Sequence, residues 1–96
     1  MKVGVYYFPN YHLDKRNKLS HGEGWTEWEL VKRAEPKFKG HIQPKVPLWG
    51  YEDEANPEVM AKKIDVASNA CIDAFIFDWY WYEDGLFLNR ALDVFF

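Results

Sequence analysis

Ninety-six residues allow one small domain, whereas a complete eight-stranded α/β barrel takes about 250. Nearly half the chain is apolar (48%) and 19% is aromatic, with five Trp, which excludes disorder by composition. A net charge of −3 gives no basic footprint for nucleic acid or anionic lipid, and the single cysteine, Cys71, excludes a disulfide framework.

Residues 2–8 (KVGVYYF) are rich in β-branched and aromatic side chains and stop at Pro9, which predicts a buried strand. The apolar run there is too short for a signal-peptide core or a membrane span, so a cytoplasmic protein is expected. Residues 9–56 show no sustained period and read as a long loop with one short helix, from Glu27 to about Ala34. Thr26 and Glu29 offer a capping box for it, Lys32 and Arg33 suit its C-terminal end, and Pro36 stops it. Asn56 then caps a helix over residues 57–69, with Pro57 at its first position and Met60, Ile64, Ala67 and Cys71 as its apolar face. Cys71 reads as a small buried hydrophobe. Residues 72–82 (IDAFIFDWYWY) form a nearly continuous β-prone run, the pattern of a parallel strand covered on both faces. Glu83 and Asp84 before Gly85 mark an exposed turn, and residues 89–96 open another helix, with Leu88, Leu92 and Phe95 on one side.

Strand, long excursion, helix, strand and helix start make a βαβ unit of an α/β fold. Two parallel strands do not close a core, which leaves a barrel fragment, an incomplete doubly wound sheet, or a small domain completed by a partner. Residues 1–96 are expected to be one incomplete domain. In a barrel, a loop following a strand lies on the C-terminal face, where active sites are built, and a βα loop is ordinarily only about 2–6 residues long.

The chemistry of the excursion is aromatic and carboxylate. Trp25, Trp28 and Trp49, with Tyr6, Tyr7 and Tyr11, offer flat apolar faces to a sugar ring, while Glu27, His12, His41 and Gln43 can hydrogen-bond its hydroxyls. The plainer alternative is that the Trp residues pack the excursion onto its scaffold. His12, His21 and His41 match no compact ligand spacing, so no metal is expected. No glycine-rich phosphate loop follows either strand, so no nucleotide cofactor is expected. Asp78 interrupts an apolar strand, and alternation puts it on one face with Tyr80, lining a pocket or tying down a neighbouring loop.

Several segments occur in an order that carries a resemblance: Tyr6–His12 (YYFPNYH), Gly22–Trp28 (GEGWTEW), Gly40–Pro47 (GHIQPKVP), Asn56–Val59 (NPEV), Phe75–Tyr82 (FIFDWYWY) and Leu88–Leu92 (LNRAL). Together they resemble the WbsX-type, glycoside hydrolase family 99-like domain, over essentially the whole chain. The resemblance implies the N-terminal fragment of a (β/α)8 TIM-like barrel acting on glycans or bacterial surface polysaccharide such as O-antigen, without a cofactor. Family 99 proper implies a glycoside hydrolase whose paired catalytic glutamates lie in the later half of the barrel, beyond residue 96. The WbsX label implies a glycosyltransferase. Substrate-binding residues carried over from matching motifs are Tyr7, Trp25, Glu27, Trp28, His41, Gln43, Asp78 and Tyr80. Ile42 stands where an aromatic is common, and Asn69–Asp73 replaces a glycine-containing entry to the second strand. The expected partners are a glycan substrate and the remainder of the barrel. The expected activity is that of a carbohydrate-active enzyme, hydrolase before transferase, with this chain alone inactive; a non-catalytic carbohydrate-binding module is the rival.

Overall fold

The computed structural model describes residues 1–96 as a small α/β unit of four short strands and four helices. Strand β1 (Gly4–Tyr7) pairs in parallel with β2 (Ala74–Phe77), Gly4 opposite Ala74 and Tyr7 opposite Phe77. The ladder extends past both ends. Asp73 N donates to Val3 O (2.9 Å) and Asp73 Oδ2 accepts from Val3 N (2.8 Å); at the other end Asp78 N donates to Tyr7 O (2.9 Å).

Between the strands run α1 (Lys15–His21), α2 (Trp28–Lys32) and α3 (Pro57–Asn69). Helix α3 forms as its sequence dictates: Asn56 Oδ1 accepts from Glu58 N (2.9 Å), Pro57 occupies the first turn, and Met60 is buried. It ends in a Schellman motif, Ile72 N donating to Ala67 O and Cys71 N to Ser68 O, both at 3.0 Å. Cys71 takes the left-handed position there, φ 63°, where glycine is usual. That conformation turns the side chain off the helix end, so Cys71 is exposed and not part of the apolar face.

Three further elements differ from the sequence pattern. The β-prone run 72–82 is not one strand: it breaks at Asp78 and Trp79, and β3 (Tyr80–Tyr82) turns back through Glu83 and Asp84 to pair antiparallel with β4 (Gly85–Phe87). Helix α1 carries no apolar period, and its one buried residue is Asn17. It forms because Asp14 caps it, Oδ1 accepting from Arg16 N (2.8 Å), and because Gly22 ends it at φ 102°. Helix α2 is capped at Glu27 without a side-chain bond, so the Thr26–Glu29 capping box does not form; Thr26 meets Glu29 only through its carbonyl, 3.0 Å from Glu29 N.

Helix α4 (Arg90–Phe95) packs against α3 and the sheet. Phe95 meets Phe77 and Phe75 edge-on, ring centroids at 4.9 and 5.7 Å, and Tyr7 completes the cluster 5.0 Å from Phe75. The helix side of the β1–β2 sheet is thus covered. The opposite side, Gly4, Tyr6, Ala74 and Ile76, is bare, with Tyr6 79% and Ile76 48% exposed. No helix is long and apolar enough to cross a membrane.

Candidate functional site

The C-terminal edge of the parallel pair gathers Asn10, just after β1, with Asp78 and Tyr80, just after β2, and the charge of Glu27, at the start of α2, acts on Tyr80 there. The break after Phe77 makes this possible: the chain leaves the sheet at Asp78 and re-enters β structure at Tyr80, bringing the phenol to face the carboxylate. The Asp78 carboxylate beside the Tyr80 hydroxyl raises the phenol's pKa. Desolvation adds to the shift, the Asn10 side chain opposes it, and the fields of Asp78 and Glu27 reinforce it. In this pair the Tyr80 hydroxyl donates and the Asp78 side chain accepts. Asn10 Oδ1 is buried here without a partner, leaving one acceptor unused.

A second polar centre lies on the helix side of the sheet, around Glu54. Its Oε1 accepts from Tyr7 OH (2.9 Å), its Oε2 accepts from Tyr11 N (3.0 Å), and its carboxylate pairs with Lys63 of α3. Burial raises the Tyr7 pKa, and the charge and hydrogen bond of Glu54 raise it further. Nothing in the sequence distinguishes Glu54 from Glu52 and Asp53 beside it; the fold buries Glu54 because Tyr7, Tyr11 and Lys63 satisfy it together. Beside it His12 is fully buried with neither ring nitrogen hydrogen-bonded. Burial lowers its pKa, against the upward pull of Glu54, Asp53 and Asp14 and with Arg90 adding to the lowering.

The other residues singled out from sequence hold local structure. Trp28 donates from Nε1 to Glu52 O (2.9 Å) and stacks on Tyr11 at 4.1 Å. Trp25 stacks on His21 at 4.0 Å. His41 Nδ1 accepts from Lys37 N (3.1 Å), His41 Nε2 lies 3.2 Å from Gln43 Nε2, and Gln43 Oε1 accepts from Lys45 N (3.1 Å). The structure therefore brings Asp78 and Tyr80 together, with Glu27 near enough for its charge to act on Tyr80, seats Tyr7 behind the sheet on Glu54, and spends His41 and Gln43 on shaping their own loop. No set of three His, Cys, Asp or Glu side chains is placed to hold a metal ion.

Helix α1 straps the β3–β4 hairpin in place. The Arg16 guanidinium lies 4.1 Å from the Tyr82 ring centroid and pairs with Asp84, whose pKa it lowers, and Asp14 Oδ2 accepts from Leu88 N (3.0 Å). On the outer side of the hairpin Trp79 and Trp81 stand exposed, ring centroids 5.8 Å apart, with Trp79 Nε1 donating to Asn89 Oδ1 (3.1 Å).

Comparison with known proteins adds the lineage. The family model described as Glycosyltransferase WbsX matches residues 3–96. Two curated relatives, each named Uncharacterized protein WxcX and found in two strains of Xanthomonas campestris pv. campestris, are 37% identical over 89 residues. The alignment covers 92% of this chain, which spans only 13% of the length of either relative. No solved structure matches the chain. With a match running from residue 3 to residue 96, the chain belongs to the WbsX glycosyltransferase family.

Proposed function

We propose that this chain is part of a carbohydrate-active enzyme of polysaccharide biosynthesis that transfers a glycosyl group. In this reading its parallel strands are two neighbouring strands of a (β/α)8 barrel. The observation that carries the reading is the Tyr80–Asp78 pair with Asn10 and Glu27, at the C-terminal edge of those strands, in a WbsX-family chain. The bare inner side of the sheet supports the barrel, since parallel strands are ordinarily covered on both faces. The transferase reading now precedes the hydrolase one, because the family that matches is a transferase family and nothing in the match supports a family 99 hydrolase.

In this arrangement Asp78 and Glu27 accept hydrogen bonds from sugar hydroxyls, and Tyr80, whose one O–H is given to Asp78, holds that carboxylate in position. Loss of a charge-assisted hydrogen bond to substrate costs about 1.5–3 kcal/mol. Asp78→Asn and Tyr80→Phe in the full protein are therefore expected to lower kcat/KM for glycosyl transfer by about 10- to 150-fold, with secondary structure intact by circular dichroism. Unchanged kcat/KM in both variants would remove this cluster from the site.

A further inference from the structure

The segment Pro36–Gly50 is turned inside out for a loop that faces water. Its polar side chains fold onto its own backbone: His41 takes the Lys37 amide, Gln43 takes the Lys45 amide, and the His41 ring lies flat on Phe38, centroids 4.6 Å apart and 6° between planes. Its apolar side chains stand in solvent instead, Phe38 at 68%, Ile42 at 71%, Val46 at 70% and Leu48 at 96% exposure. Large apolar groups gathered in this way mark a surface that something else covers.

The charge of the segment says what. In a chain of net charge −3, Pro36–Gly50 holds Lys37, Lys39 and Lys45 and no acidic residue. Protein interfaces are depleted in lysine, whereas lysines around aromatic and aliphatic tips suit a wet headgroup layer, where the stems lie on apolar surface and the ammonium groups meet phosphate. Trp49 stands at the base of the lobe, with Lys62 Nζ, itself paired with Glu52, 4.3 Å from its ring centroid. We infer that Pro36–Gly50 is a membrane-surface docking loop whose partner is an anionic lipid headgroup layer, with Phe38, Ile42, Val46 and Leu48 entering it and the three lysines holding the lobe there. Whole-chain charge conceals this, because the acidic residues lie outside the loop. The inference does not depend on the glycosyl-transfer reading.

The test is co-sedimentation of the full protein with vesicles of phosphatidylcholine alone and of phosphatidylcholine containing roughly a third phosphatidylglycerol. Three lysines at the surface are worth on the order of 100-fold in partitioning, so binding is expected to the anionic vesicles and to vanish in about 0.5 M salt. The triple variant Lys37→Glu, Lys39→Glu, Lys45→Glu is expected to stay in the supernatant. An environment-sensitive dye on Leu48→Cys, in a protein whose other cysteines are serine, is expected to be open to iodide quenching in buffer and to shift blue on anionic vesicles. Equal binding to both vesicle types, or a triple variant that still sediments, overturns the inference. So does a dye shielded from iodide before any lipid is added, which would show that another part of the protein covers the loop.

Discussion

At the residue scale, two positions carry stability consequences that contacts alone do not reveal. His12 is buried in its neutral form with no hydrogen bond to either nitrogen, and its pKa lies below the unfolded value of about 6.5. The unfolded chain therefore binds a proton that the folded one resists, so stability is full above that value and falls as pH drops through it. The urea midpoint is expected to decline between about pH 8 and about pH 5, and His12→Met, of similar size and unable to titrate, is expected to flatten the decline. An unchanged slope in the variant would show that the carboxylates set it. Cys71 presents the opposite case. A non-glycine residue at φ 63° costs about 1 kcal/mol, so Cys71→Gly is expected to stabilise the chain by about that much in chemical denaturation. A neutral or destabilising result would mean that the unfolded-state entropy of glycine cancels the relief.

At the element scale, what was legible in the sequence is what the chain specifies locally. Helix α3 has its cap, its first-turn proline and its apolar period within its own residues, and its bounds follow from them. The hairpin is different. Residues 72–82 are β-prone throughout, yet the run divides at Asp78 and Trp79, and the hairpin that follows is held by contacts 68 and 74 residues away in sequence, from Arg16 to Asp84 and from Leu88 to Asp14. Helix α1 escapes notice for a related reason, since it buries an asparagine and holds through its cap and the hairpin. For the site, strand alternation puts Asp78 and Tyr80 together, and they do meet, but across the interruption between β2 and β3 instead of along one strand. Glu54 could not be picked from the acids around it, because its burial depends on three partners, on β1, on the loop after it and on α3. Asp14 serves both helix cap and hairpin, so Asp14→Ala is expected to cost about 2 kcal/mol and to speed hydrogen exchange at the Leu88 amide. Slow exchange at Leu88 in that variant would show that the hairpin holds without the strap.

At the scale of the whole molecule, the asymmetry of the β1–β2 sheet is the governing feature. Its helix side carries an aromatic cluster and its other side carries Gly4, Tyr6, Ala74 and Ile76 in the open. The barrel reading makes that open side the interior of the full protein. Ile76→Asp is therefore expected to leave the 96-residue chain no less helical by circular dichroism, yet to cost the full protein about 3–5 kcal/mol as an unpaired buried charge. Equal tolerance in both would place this side in water and count against the barrel.

The parallel ladder also has a consequence in time. Val3 and Asp73, whose bond closes the ladder, are 70 residues apart in sequence. A ribosome adding about 5–20 residues per second needs roughly 4–14 s to cover that distance. Through that interval β1 has no mate, so the sheet cannot begin to form until its second strand has been made.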